Sequence, residues 1–435
     1  MAIEAKRVMK RRRNVSCSCS MTGVWRALCY MEGAVVIYHS PRACAHIARR
    51  MDTSSFCRLI TDAPEETRLN SVPLLSSDLG DEEAVFGGED RLRRAVRYAC
   101  EKYHPKAVFI ANSCVSGVIG DDTAAVAEEM TEELGIPVID TPHHGYLDGE
   151  YFDGYLDTAR VLMQRFMKPQ QTVQGTVLLF GDCGGLFGAY TREMRRLLGY
   201  FDLEISGQFP SYMSLEELEK APSASLAVVL GRSESDARQQ KFAAVGKEFS
   251  ERFGIPCLSE LYPVGYSKTV EWLKKLGTLL HCEEKAEKAV EKERQRFMDA
   301  IGEAAKNLRG KKVVYCAGRM AEFFQPQMIL FLVEKLGMEL IGIELFDAQN
   351  TEARRSSEER LRTFTDVPFV DGEAFEKAVR EADVVLTTHE LVATDVRQVF
   401  LPVIAGAGWT GEQAVMDAMV RVMHRALSRG GLIYA

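Results

Sequence analysis

The chain has 435 residues, 46% hydrophobic and 27% charged, with a formal net charge of −8. That length accommodates about two or three domains of ordinary globular composition, and the negative balance argues against a general nucleic-acid binder. No apolar run approaches the roughly 20 residues that a bilayer span needs. Lys10-Arg11-Arg12-Arg13 is followed by no apolar h-region, so no secretory signal is expected either.

Taken in order, short β-branched runs alternate with longer amphipathic ones, the pattern of parallel βαβ units. Strands are predicted at 34–38, 107–111, 136–139, 176–180, 226–230, 313–316, 339–343 and 383–387. Helices are predicted at 90–102, 123–134, 190–199, 237–253, 268–278, 283–308, 326–337 and 411–428. The helix at 326–337 follows FFQPQ and stops at Gly337, a proline start and a glycine stop. Two polar seams, Lys168-Pro169-Gln170-Gln171 and Leu308-Arg309-Gly310-Lys311-Lys312, each lead into a fresh strand, GTVLLFGD at 175 and KKVVYCAG at 311. The expected architecture is therefore α/β, three Rossmann-like domains with mostly parallel sheets, at 1–169, 170–309 and 310–435.

Three cysteines stand where strand-like runs give way to loops. Cys19 lies in the opening loop CSCSMTG. Cys44 follows Val35-Val36-Ile37-Tyr38 within HSPRACAH, and Cys114 follows Ala107-Val108-Phe109-Ile110 within ANSCVSGVIGDD. Loops at the carboxyl ends of parallel strands converge on one crevice. Three thiolates there suit an iron–sulfur cluster, and they are one short of the four that a [4Fe–4S] cluster takes, so an interface cluster completed by a second polypeptide is expected. Zinc is the rival metal, and no CxxC pair supports it. Buried apolar thiols are the bland alternative, against which the glycine and proline neighbours of Cys44 and Cys114 argue. Cys17, two residues before Cys19, competes with it for the first ligand position. Eleven cysteines in all, an odd number on a long chain, do not look like a disulfide framework, and a reducing cytoplasm is the expected compartment.

These segments resemble the nitrogenase component 1 superfamily. The 25-residue step from Cys19 to Cys44, with HSPRAC like the family's His-Gly-Pro-x-x-Cys, is one match. FGGEDRL at 86–92, SCVSGVIGDD at 113–122 and GIPVIDTPHHGY at 135–146 are the others. The resemblance implies a central cavity among the three domains and a cluster of [4Fe–4S] or [8Fe–7S] type at a subunit interface, with Cys19, Cys44 and Cys114 as this chain's ligands. It implies a homologous second subunit, in a homo- or hetero-oligomer, and a homodimeric ATP-binding iron–sulfur protein as electron donor. This chain has no GxxxxGK[ST] loop of its own. The expected activity is that of a nitrogenase-like reductase subunit, or of a cofactor-assembly scaffold; tetrapyrroles and alkyl thioethers are the family's other substrates.

The remaining motifs carry softer readings. Gly120-Asp121-Asp122 is read as a helix N-cap, near the donor-facing side by family likeness. Phe86-Gly87-Gly88-Glu89 is a helix-entry turn whose glycines allow positive φ or close backbone approach. Gly181-Asp182-Cys183-Gly184-Gly185 lacks the GxGxxG spacing and is read as lining the cavity. Glu260-Leu261-Tyr262-Pro263-Val264-Gly265 and Thr387-Thr388-His389-Glu390 are placed with it, which makes Cys183 and His389 candidates for a second cofactor. The sequence departs from catalytic α subunits at two places. The strand Ser225–Leu230 runs into Gly231-Arg232-Ser233 with no cysteine, and AGAGWTG at 405–411 puts Ala407 or a neighbour where a histidine would stand. The chain thus resembles a β-type or divergent subunit, with any second metallocofactor on its partner.

Overall fold

The computed structural model describes residues 4–5, 19–61, 64, 70–232, 237–318, 326–346, 351–392, 395–401 and 406–425. Its contacts divide it into two compact units, Arg13–Tyr262 and Pro263–Ala435, the latter joined by Met1–Arg12. Strand β1 (Glu4–Ala5) belongs to the second unit, where it pairs antiparallel with β13 (Leu391–Val392).

The first unit opens with α1 (Ser20–Leu28), β2 (Ala34–His39), α2 (Arg42–Thr61), β3 (Leu74–Ser76), α3 (Asp81–Phe86) and α4 (Glu89–Tyr103). Next come β4 (Ala107–Asn112), α5 (Cys114–Ile119), α6 (Thr123–Leu134), β5 (Val138–His144) and α7 (Tyr151–Arg165). Its four strands form a parallel sheet of order β3-β2-β4-β5. Every residue of β2 and β4 is buried, which is why both read as continuous apolar runs rather than as alternating patterns. A second parallel sheet follows, built from β6 (Val173–Phe180), α8 (Ala189–Leu198), β7 (Glu204–Phe209), α9 (Leu215–Lys220), β8 (Ala224–Val229), α10 (Ala237–Phe253) and β9 (Cys257–Leu258), in the order β7-β6-β8-β9.

The second unit begins with α11 (Tyr266–Leu279) and α12 (Glu283–Leu308). It continues through β10 (Lys312–Ala317), α13 (Pro326–Lys335), β11 (Glu339–Leu345), α14 (Thr351–Arg362), α15 (Gly372–Glu381), β12 (Val384–Thr387), β14 (Arg397–Phe400) and α16 (Thr410–Met423). Its parallel sheet has the order β11-β10-β12-β14. Phe297, Leu308, Tyr315, Leu332, Leu386 and Met419 are among the side chains that fill its core.

All three sheets share one winding. The first strand is central, the second lies to one side, and the third and fourth lie to the other. The chain therefore reverses direction beside the first strand, and a doubly wound sheet opens a crevice at the carboxyl ends of its first and third strands. In the three sheets that point falls after β2 and β4, after β6 and β8, and after β10 and β12.

The predicted strands and helices all appear, with ends shifted by a few residues; the last predicted helix ends at Met423, and residues 426–428 lie outside the described residues. Two helices that the periodicity did not mark, α1 and α7, pack against each other in the first unit. A Cβ at Gly23 of α1 would overlap the Tyr151 carbonyl, and one at Gly154 of α7 would overlap the Ser20 carbonyl. The two backbones touch there, so only glycine fits at the crossing.

Candidate metal centre

Two of the three candidate cysteines occupy the first crevice. Strands β2 and β4 are neighbours in parallel register, with His39 opposite Asn112, and Cys44 and Cys114 follow them by five and two residues. The expectation that the three cysteines sit in loops is corrected: each sits at the start of a helix. Cys19 is the extended residue before α1, its carbonyl accepting from the Thr22 N–H (3.2 Å) and hydroxyl (2.7 Å). Cys44 lies in the first turn of α2, entered through Pro41, whose fixed φ suits a helix start. Cys114 opens α5, capped by the Ser113 hydroxyl, which accepts from the Ser116 N–H at 3.2 Å.

Gly145 joins the ends of this set. Its carbonyl accepts from the Ser20 hydroxyl at 3.0 Å. With its φ of +59°, its Cα lies so near the start of α5 that a Cβ would stand 2.8 Å from the Cys114 nitrogen. The Tyr38 hydroxyl fastens α1 to β2 by donating to the Met21 carbonyl at 2.6 Å, and Cys19 bridges Glu150 by backbone. The three thiols are free and half-buried. Burial pushes the Cys19 and Cys44 thiols above the ordinary range; beyond that, Cys44 feels both other cysteines and Cys19 feels Cys114. The Cys19 and Cys44 thiols therefore favour their protonated forms until a cation offsets the charge of the thiolates. Among the described residues, no three His, Cys, Asp or Glu side chains close tightly enough around one point to hold a single metal ion. A cage cluster seats each thiolate on a different iron, so it accepts donors that are farther apart. Three cysteine thiolates are the type of donor that such a cluster takes. Cys17 lies outside the described residues.

A polar brace ties the three motif segments together behind the cysteines. The buried His39 ring donates through Nε2 to Asp121 Oδ2 (2.8 Å), and its Nδ1 accepts from the Ser77 hydroxyl (2.9 Å). This tautomer follows from the carboxylate, which can only accept. Asp121 Oδ1 takes the Gly88 N–H at 2.8 Å. A Cβ at Gly88 would collide with Leu79 and Asp121 and lie 3.0 Å from the His39 ring, so the second glycine of FGGED is needed for close approach. Burial holds the His39 imidazolium below its usual pKa despite Asp121, so at neutral pH the ring is uncharged and the contact is a hydrogen bond. The capping expectation holds for Asp122, which accepts from the Ala125 N–H at 3.0 Å, whereas Asp121 serves the brace. Beside Cys114, the Asn112 amide donates to Asp140 (2.7 Å), while its buried oxygen has no partner.

The segments around the cysteines are unusually apolar on the outside. Ile47, Val85, Phe86, Val118, Tyr146 and Leu147 are all more than half exposed, Phe86 at 84%. Of the other flagged residues, Cys183 lies after β6 in the first unit. His389 lies after β12 in the second, its Nδ1 2.7 Å from the Thr388 hydroxyl. Ala407 is fully buried, and the neighbouring Trp409 donates its ring N–H to Glu293 at 3.0 Å. Residues 402–405, including the start of AGAGWTG, lie outside the described residues. Among the described helices, none is long and apolar enough to cross a membrane.

Comparison with known proteins follows the same lines. Residues 19–405 match the family described as nitrogenase component 1 type oxidoreductase. The nitrogenase iron-molybdenum cofactor biosynthesis protein NifE of Clostridium pasteurianum is 27% identical over 75% of this chain and 67% of its own length. The nitrogenase molybdenum-iron protein alpha chain of Methanosarcina barkeri is 25% identical over 61% of this chain, and the match spans about half, 48%, of that protein. Among solved structures, nitrogenase Cp1 at pH 5 superposes with a TM-score of 0.61 at 18% identity, covering 97% of this chain and 91% of that one. That likeness shows the fold: α/β, with mostly parallel sheets.

Proposed function

The chain belongs to the nitrogenase component 1 type oxidoreductases, and on that footing we propose that it is an electron-relaying subunit of a nitrogenase-like, two-component reductase. Cys19, Cys44 and Cys114 hold an iron–sulfur cluster at the edge of the first sheet, and a homologous subunit supplies the remaining ligands. The observation that carries the reading is three cysteines outside any disulfide at three helix starts, the Cys19 and Cys114 ends tied together by Gly145, which accepts from the Ser20 hydroxyl and lies against the Cys114 nitrogen. When bound, such a cluster accepts and passes single electrons. The chain's own residues shape the site for it. Helix N-termini present positive dipole ends to a thiolate-rich centre, the His39–Asp121–Gly88 brace holds the loops in place, and the exposed Phe86, Val118 and Leu147 offer apolar surface to a covering protein. The electron donor in this reading is a separate ATP-hydrolysing iron–sulfur protein.

Anaerobic purification with the partner tests the proposal. Iron and acid-labile sulfide are expected together. Cys44→Ala and Cys114→Ala are each expected to lose most of both, while Cys100→Ala and Cys282→Ala retain them. Full iron content in Cys44→Ala, or zinc in place of iron, overturns the assignment. A second reading, an assembly scaffold that holds a cofactor precursor and hands it on, is favoured by the likeness to cofactor biosynthesis proteins and by the run of β8 into Gly231-Arg232 without a cysteine. Donor- and ATP-dependent reduction of a small molecule by the complex supports the reductase, and stoichiometric release of a metal cluster to an acceptor protein supports the scaffold.

A further inference from the structure

The segment that joins β5 to α7 holds two of the three cysteine ends, and its backbone has an unfavourable shape. His143 has φ +78°, a region that residues other than glycine rarely adopt. Such a conformation persists only where surrounding contacts over-determine it. Here two histidine–aspartate pairs supply those contacts. His143 donates through Nε2 to Asp157 Oδ2 at 2.7 Å, and His144 donates through Nδ1 to Asp148 Oδ2 at 3.0 Å, since a carboxylate can only accept. Asp148 Oδ1 takes the His144 backbone N–H and lies 4.0 Å from His143 Nδ1. Desolvation works against charge on Asp148, but the hydrogen bonds from His144 hold its carboxyl below the ordinary range. Asp157 is anchored in turn. Arg160 donates to it at 2.6 Å and forks onto Glu248 of α10 at 2.8 and 2.9 Å.

The two histidines pack against opposite ends of the cysteine set. A Cβ at Gly149 would stand 2.9 Å from His143 Cγ, so the imidazole lies on the residue before Glu150, whose backbone bridges Cys19. A Cβ at Gly117 would stand 2.9 Å from His144 Cβ. Gly117 is three residues beyond Cys114, so His144 sits against the first turn of α5. Gly145 follows directly, with the Ser20 hydroxyl on its carbonyl and the Cys114 nitrogen beside its Cα. Residues 143–150 thus touch both the Cys19 and the Cys114 ends, and their shape sets how far apart those thiols stand.

We propose that His143 and His144 are positioning residues for the iron–sulfur cluster: clamped by Asp157 and Asp148, they hold the strained segment that fixes the spacing of the Cys19 and Cys114 sulfurs. This rests on the reading of the chain as an iron–sulfur subunit. Groups that orient metal ligands from behind change metal affinity about 10–100-fold when they are removed, and a ligand set whose spacing is no longer fixed releases iron faster.

Iron release to a ferrous chelator, followed anaerobically on the purified complex, reads the clamp without an activity assay. The EPR spectrum of the reduced cluster reads its geometry. His143→Gly removes the bond to Asp157 and also relieves the positive φ. A role in backbone shape alone would leave this variant equal to wild type or more stable. Release faster by about tenfold or more is expected instead, with an altered EPR spectrum and an unfolding midpoint near that of wild type. His143→Gln brings an amide donor to the reach of Nε2, and His144→Asn brings one to the reach of Nδ1. Both are expected to keep slow release, and His144→Ala is expected to lose it. His104→Gly relieves another positive φ, at the end of α4, and is the control with wild-type release. Unchanged release and spectra in His143→Gly and His144→Ala overturn the proposal, as does fast release that persists in His143→Gln. Wild-type complex without iron and sulfide overturns the cluster reading itself, so the two failures are told apart.

Discussion

Single residues carry most of the chemistry here, and two buried ones make opposite pH statements. Glu412, on α16, is 1% exposed and accepts from the Tyr266 N–H through both oxygens, at 3.1 and 2.9 Å. Burial raises its pKa to about 8. A carboxyl whose folded pKa lies above its unfolded value contributes stability that is complete below the ordinary carboxylate range and is lost as pH rises through about 8. Wild-type stability is therefore expected to decline from pH 5 to 9, and Glu412→Gln, which keeps the acceptor, is expected to flatten that decline by a few kcal/mol at most. Denaturant midpoints across the range decide it; parallel profiles for the two proteins refute it. His39 has the opposite sign. Its pKa is lowered by burial, so its contribution is present above the ordinary imidazole value and fades as pH falls below it. His39→Ala leaves Asp121 without its ring donor at a buried site and is expected to cost about 1–3 kcal/mol, with unfolding transitions as the measure.

At the scale of elements, the crossing of α1 and α7 decides where Cys19 sits. Gly23 and Gly154 let the two backbones touch, and Ser20, next to Cys19, forms part of that contact. Gly154→Ala forces a methyl group into the Ser20 carbonyl. The change is expected to destabilise the first unit by about 1–3 kcal/mol or more and to lower iron retention, since α1 must move away and carries the Cys19 end of the set with it. Gly302→Ala, on α12, meets nothing within 4 Å and is the control, with neutral or slightly raised stability. Chemical denaturation and iron content of the two variants, taken together, check the argument; an unchanged midpoint for Gly154→Ala would falsify it. The same glycines explain why α1 and α7 escape a reading by periodicity. A mid-helix glycine lowers local propensity by roughly 1 kcal/mol, and the compensation comes from a neighbour about 130 residues away in the chain.

At the scale of the whole molecule, three thiols are too few for a closed [4Fe–4S] site, so the proposal requires assembly. Light scattering under anaerobic conditions is expected to show a dimer or larger complex, with an interface on the order of 2,000 Å² or more covering Phe86, Val118 and Leu147. Phe86→Asp, at an 84% exposed site, is expected to weaken the partner or donor contact at least tenfold while leaving the fold intact. A monomer with a full complement of iron contradicts the interface. The sequence by itself determined the class of fold, because runs such as VVIY and VFIA bury on both faces only in parallel sheets. It also marked the three cysteines, through the strand-like runs before Cys44 and Cys114, their proline and glycine neighbours, and the 25-residue step from Cys19 to Cys44. Tertiary structure alone decided the rest. His39 meets Asp121 across 82 positions, and Gly145 lies between Ser20 and Cys114. Each of these contacts joins segments that share no periodicity, and the sheet winding that brings them to one crevice is a property of strand order, which no local run of residues encodes.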